Sequence, residues 1–169
     1  EGTEYPEPMA IWIELEAKMH LPYKVAQPSD PITIPELQVN AMSGSMGETD
    51  EITASPCAYY WQAPEPNEDG TMSSIIGCGP AIGEETSLPE ITAAAEGLIS
   101  HRKSSEVQPD TVRIQCVPQN GGEVETITGI LPYDGGYAFD LKSGSFVYRV
   151  IAEWDDGNRV EYGFIGKWL

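Results

Sequence analysis

Ser145-Phe-Val-Tyr-Arg-Val-Ile-Ala-Glu-Trp154, Asp155-Asp-Gly-Asn158 and Arg159-Val-Glu-Tyr-Gly-Phe-Ile-Gly-Lys-Trp168 together decide the fold class. Two alternating runs flank an Asp-Gly pair, the strongest short-range hairpin signal. Phe146, Tyr148, Val150, Ala152 and Trp154 share one side of the first run, and Val160, Tyr162 and Phe164 share one side of the second. Cross-strand partners lie on the same side of a sheet, so the pattern sets Trp154 against Val160. The odd number of residues between them rules out a plain two-residue turn. It calls for a type I turn followed by Gly157 in the left-handed region, forming a bulge. The other side (Val147, Arg149, Ile151, Glu153 against Arg159, Glu161, Ile165) mixes charge with apolar residues and reads as only partly wet.

Working outward, the chain of 169 residues is long enough for one domain with a substantial core. Its 17 glycines and 14 prolines, spread throughout, leave no room for a long helix. The one helix candidate is short, Leu88 to Leu98 around Thr92-Ala-Ala-Ala-Glu96. Turn signals recur every eight to twelve residues or so, the rhythm of a sandwich rather than of strand–helix–strand units. The expectation is an all-β fold, an immunoglobulin-like antiparallel β-sandwich with an additional N-terminal strand. Residues 1–8 read as a flexible tether, and 9–169 as a single β-sandwich domain.

The strand order follows from alternation. Met9 to Met19 is the additional strand; Ile32-Thr-Ile34 is an edge candidate within a proline-rich connector; Glu36 to Met42 is the next strand. Ser55-Pro-Cys-Ala-Tyr-Tyr-Trp-Gln62 and Thr71 to Cys78 flank the loop Ala63 to Gly70 and form a second hairpin. If that hairpin is centred between Asn67 and Glu68 in its loop, Cys57 stands opposite Cys78, a pairing whose close geometry suits a disulfide. The same spacing fits two free thiols equally well. Cys116, in step with Val112 and Ile114 on the strand Asp110 to Val117, reads as a buried, inert thiol. Gly121 to Leu131 is a weaker strand, and Tyr137 to Leu141 another.

Charge narrows the partners. With 27 acids against 9 bases and a net charge of -18, the chain repels phosphate backbones and anionic lipid surfaces. Nucleic acid is therefore an unfavourable partner; the charge reads as a solvated, self-repelling surface, with recognition of a cationic or neutral polar ligand as the sharper alternative. No apolar run is long enough for a transmembrane segment. The first residue is Glu1 rather than a methionine, which leaves room for a leader or lipid anchor upstream.

Chemistry is sparse. His20 and His101 are isolated, and the cysteines lack metal-ligand spacing, so no metal or cofactor is expected. Asn67-Glu-Asp-Gly70 and Asp155-Asp-Gly-Asn158 lack the alternating oxygens and distal glutamate of a calcium loop, and sit at hairpin tips where such residues serve the backbone. No nucleophile elbow is present, and the glycine clusters lack a phosphate cradle's strand–loop–helix setting. No catalytic residue is assigned. The remaining signal is aromatic: consecutive Tyr59-Tyr60-Trp61 must present rings on both faces of a sheet. Trp12, Tyr60 and Trp61 are the candidate ligand-binding residues, as a platform for a glycan, peptide or protein partner. Burial of those rings against a second sheet is the competing reading.

The order Leu37-x-Val-x-Ala, Ala58-Tyr-Tyr-Trp61 and Cys78-Gly-Pro80 resembles a small β-domain recurring in surface proteins of Gram-positive gut bacteria. Pro109-Asp-Thr-Val-Arg-Ile-Gln-Cys116 is similar to that family's P-D-x-V-x-V-x-x-W strand. Phe146 to Trp154, followed by Tyr162-Gly-Phe164, resembles its closing Y-x-Y-x-V-x-A-x-W … Y-x-F pattern. Residues 35–169 carry the likeness; Gly83 to Ser105, with His101-Arg-Lys103, departs from it. Such domains are immunoglobulin-like and occur in lipoproteins and in ectodomains of antirepressor-type sensor metallopeptidases. The resemblance implies a secreted location or anchoring to the outer face of the bacterial membrane, and brings no catalytic motif. The functional expectation is a non-enzymatic extracellular or cell-surface interaction module. A sensory or structural spacer, or a hydrolase with an unrecognised carboxylate pair, are the alternatives.

Overall fold

The computed structural model describes residues 32–43, 48–63, 65–93, 96–101, 108–133 and 136–168. They form twelve strands and no helix: β1 (Leu37–Ser43), β2 (Glu48–Thr53), β3 (Ser55–Gln62), β4 (Ser74–Gly77), β5 (Glu90–Ala93), β6 (Glu96–His101), β7 (Thr111–Pro118), β8 (Glu125–Thr126), β9 (Leu131–Tyr133), β10 (Gly136–Asp140), β11 (Gly144–Glu153) and β12 (Arg159–Trp168). One sheet has the order β2-β1-β6-β10-β9, and the other β4-β3-β12-β11-β7-β8, with β5 also on β12. The fold is an all-β sandwich. The tether 1–8 and the strand Met9 to Met19, with Trp12 and His20, lie outside the described residues.

The closing hairpin is the spine of the larger sheet. β11 and β12 pair antiparallel over their full length, Gly144 with Trp168 through Glu153 with Arg159. Gly157 sits at φ +88, as the bulge reading requires. Its amide donates to Trp154 O, and Trp154 N–H donates to Asn158 O. Trp154 is thus opposite Asn158, and Val160 pairs with Ala152. The loop is two residues tighter than the Trp154–Val160 pairing demanded. Parity survives a slip of two, so every inward residue stays inward.

The two sheets meet over one apolar core. Leu37, Val39, Ala41 and Phe139 come from the smaller sheet; Ile114, Cys116, Tyr148, Val150, Val160, Tyr162 and Phe164 come from the larger. Tyr148 links them, stacked on Phe164 with centroids 5.2 Å apart and 5.8 Å from Phe139. Its hydroxyl accepts a hydrogen bond from Lys142 N–H at 2.8 Å, while burial pushes its ionisation up to about 12. Tyr162 donates its hydroxyl to Pro35 O at 2.7 Å, pinning the connector that precedes β1.

Three local expectations change. Ile32-Thr-Ile34 is not a strand, although Ile32 and Ile34 pack on the core. The helix candidate Leu88 to Leu98 is replaced by β5 and β6. Pro89 followed by Ile91-Thr92 favours extended backbone, and β5 runs parallel to β12, Ile165 with Glu90 through Trp168 with Ala93. Tertiary pairing outweighs the helical propensity of three alanines. The weak strand Gly121 to Leu131 becomes β8 on one sheet and β9 on the other, bridged by residues 127–130.

Candidate functional site

The site is built on the outer face of the larger sheet, where the alternation of β11 and β12 puts Arg149, Glu161, Glu153 and Arg159. Arg149 is the anomaly. Its side chain is only 5 % exposed, as is that of Glu85, its partner in an ion pair. Arg149 Nη1 also donates to Glu161 Oε2 at 2.8 Å, and Nη2 to Pro80 O at 3.1 Å. Its Nε is buried without a partner among the described residues. Glu85 and Pro80 belong to the segment between β4 and β5, which therefore straps across this face. Within the strap the Gly83 amide donates to Glu85 Oε2 at 2.6 Å. Beyond it, Arg159 bridges Glu161 and Glu153 at 2.7 and 3.2 Å, and Arg113 extends the network to Glu153. Burial raises the Glu161 carboxyl, but hydrogen bonds from Arg149 and Arg159 outweigh it and hold Glu161 below the ordinary carboxylate range.

Cys57 borders this cluster. β3 carries a bulge there: Glu161 pairs with Ala58 and Tyr162 with Pro56, leaving Cys57 as the extra residue. Its sulfur lies over Gly163, where an added Cβ would come within 2.7 Å of Sγ. Burial pushes the thiol's ionisation up, against the lowering pull of Arg149. A raised ionisation and a sulfur spent on packing make a poor nucleophile.

Of the two readings left open for Cys57 and Cys78, the structure has the free thiols. Cys57, Cys78 and Cys116 are free thiols, half-buried, exposed and buried respectively. β3 and β4 pair Tyr59 with Gly77 and Gln62 with Ser74. That register, continued, sets Cys78 opposite Ala58, one step from Cys57. The strand register centres on Glu68, with Ala63 N–H donating to Ser73 O, and the tip is closed by Asn67 N–H donating to Thr71 O. The turn thus slips the strands one residue from the symmetric arrangement the cysteine pair needed.

The aromatic candidates separate. Tyr59 and Trp61 face inward, and Trp61 is 8 % exposed, edge-on to Trp154 with centroids 4.8 Å apart and planes at 90°. Trp61 is core, and the platform reading does not extend to it. Tyr60 faces outward between Arg159 on β12 and Ile76 on β4, half-buried, with Gln62 Nε2 donating to its hydroxyl at 2.6 Å. Ile76 itself is 66 % exposed. The structure does not bring Tyr60 and Trp61 to one face.

Both calcium-like stretches are turns. Asp69 accepts from the Thr71 amide and hydroxyl, at 2.9 and 2.6 Å, and these bonds hold its carboxyl below the ordinary range. Asn158 is buried, its amide and Nδ2 donating to Asp156 while its Oδ1 accepts from Gln62 N–H at 2.8 Å, tying the two hairpins together. Among the described residues, no three His, Cys, Asp or Glu side chains cluster as metal ligands. No helix among them is long and apolar enough to cross a membrane. An open depression lined by Pro118, Gln119, Asn120, Ser145 and Phe146 holds no acid, base or thiol in its lining.

The Arg149 cluster escaped sequence reasoning in part. Val147 and Ile151 flank Arg149 on a face whose sequence reads as partly wet, and that apolar company is the available sign of a cover. Glu85 gives no local sign, since its partner is 64 residues away. Comparison of the chain with family models, curated proteins and solved structures finds no match to any of them.

Proposed function

We propose that this chain is a non-enzymatic interaction module that engages a peptide, glycan or protein partner at the β3–β4 margin. The observation that carries this reading is the pair Tyr60 and Ile76: cross-strand neighbours on the outer face, one half-buried and the other 66 % exposed. An apolar shelf with a phenol at its edge suits a ligand that is apolar on one side and polar on the other. The buried ionic residues support the same reading from the opposite direction. Arg149, Glu85 and Glu161 are engaged with one another, as parts of a structural tie are, and Cys57 is packed against a glycine.

An extracytoplasmic, immunoglobulin-like identity completes the proposal. It is supported by the motifs of residues 35–169 and by a sandwich of two mostly antiparallel sheets. The test is Tyr60→Ala, assayed by calorimetry against cell-wall fragments, host-type oligosaccharides and lysine-rich peptides. The substitution should lower melting by only a few degrees and weaken every panel member that binds. Unchanged affinity for all of them would place binding elsewhere and refute this site.

A further inference from the structure

We propose that β4 is a docking edge for an extended basic peptide, which adds a strand to the larger sheet through main-chain hydrogen bonds. The inference rests on the interaction-module reading and names its ligand. A terminal strand leaves every second N–H and C=O without a partner on its outer side, and folds guard such edges with charges, prolines or bulges. Among the described strands, the other terminal ones are guarded: β2 by Asp50 and Glu51, β5 by Glu90, β8 by Glu125 and β9 by Pro132. β4 reads Ser74-Ile75-Ile76-Gly77, with neither a charge nor a proline. No described strand pairs with its outer side.

Charge selects the occupant. Glu65, Glu68 and Asp69 are exposed in the loop leading into β4, with no cation paired to them among the described residues. Hydrogen bonds from Thr71 keep Asp69 ionised. A second copy would bring the same acids, on a chain of net charge -18, whereas a lysine- or arginine-bearing strand neutralises them. Side chains add the second selection. Tyr60 and Ile76 form the outward shelf beside the edge, so alternate residues of the incoming strand meet an apolar surface while the intervening ones are free to carry charge.

The experiment titrates the isotope-labelled full chain with a blocked octapeptide of alternating lysine and valine, following amide shifts and hydrogen exchange by NMR. Two comparison peptides replace lysine by glutamate, or N-methylate every second amide so that charge is kept and edge donors are lost. The expected result is shift along β4 and new protection at Ser74 and Ile76, whose amides face away from β3, with the lysine peptide alone. Ile76→Lys, which gives β4 the guard its counterparts have, should weaken that binding at least about tenfold without changing the fold.

Protection of all β4 amides in the free chain would show the edge already covered, and would overturn the proposal. Equal binding of the N-methylated peptide would reduce the effect to capture by acidic surface. Edge shifts that grow with protein concentration alone, and vanish in Ile76→Lys, would make a second copy the occupant. If no peptide binds but an oligosaccharide perturbs Tyr60, the module reading stands and the peptide edge falls. If neither does, both fall.

Discussion

Replacing Trp61 and its neighbour Tyr60 one at a time separates core from surface within two adjacent residues. Trp61 is 8 % exposed and meets Trp154 edge-on at 4.8 Å. Truncation to alanine removes an indole from a packed interior and leaves a cavity, which costs about 3–5 kcal/mol. Of that, roughly 0.5–1.5 kcal/mol belongs to the ring pair itself and should appear as the coupling energy of a Trp61/Trp154 double-mutant cycle. Tyr60→Ala removes a half-buried ring and one hydrogen bond with Gln62, so its cost should stay near 1 kcal/mol. Urea denaturation with unchanged slope gives both values. At about 2–4 °C per kcal/mol for a chain of this size, melting should fall by about 6–20 °C for Trp61→Ala and by only a few degrees for Tyr60→Ala. Equal and small losses would mean that Trp61 is not core, and that the inward assignment of its face is wrong.

Other consequences follow from the strap and the thiols. Arg149→Ala leaves Glu85 buried and unpaired, so unfolding free energy should drop by about 3–5 kcal/mol. The Arg149→Ala/Glu85→Ala pair should lose clearly less than the sum of the single losses, and strict additivity would show that the ion pair is not formed. Because Glu161 titrates below its unfolded value, its contribution is complete above the unfolded carboxylate range near pH 4.5 and is lost as pH falls through the folded value. Acid titration of stability should therefore show a fall below about pH 4.5 that is shallower in Glu161→Gln; identical curves would contradict it. Without reductant, alkylation followed by mass spectrometry should find three reactive thiols in the order Cys78, Cys57, Cys116, matching exposed, half-buried and buried positions. A linked Cys57–Cys78 peptide would overturn the register of β3 and β4.

The sequence made the spine of this fold legible because alternation and an Asp-Gly turn are local signals. Tyr148, Val150, Tyr162 and Phe164 are inward, and Gly157 is left-handed, for reasons written within twenty-odd residues. Cys116 is buried as its company of Val112 and Ile114 required. What failed depended on distance or on single-residue register. β5 is a strand because β12 accepts it, and no window around Thr92-Ala-Ala-Ala-Glu96 contains that fact. Cys57 and Cys78 miss each other by one residue, in the register that the Ala63–Ser73 hydrogen bond shares with β3 and β4. Parity put the rings of Tyr59, Tyr60 and Trp61 on both faces of a sheet, but the expected platform joined Tyr60 and Trp61, and only the second sheet determines which side is covered. The Arg149–Glu85 tie joins residues 64 positions apart. Their chemistry is ordinary until the strap brings them together out of water.

The proposed function requires that this chain recognise a ligand rather than space two neighbours apart. The most direct measurement is thermal melting of the full chain against cell-wall fragments, host-type oligosaccharides and lysine–valine peptides, with Tyr60→Ala in parallel. A ligand present at a hundred times its dissociation constant adds about 2.7 kcal/mol, an upward shift of roughly 5–10 °C. The account predicts such a shift for at least one panel member, and its loss in Tyr60→Ala. A flat panel, or a shift that Tyr60→Ala leaves intact, would contradict it.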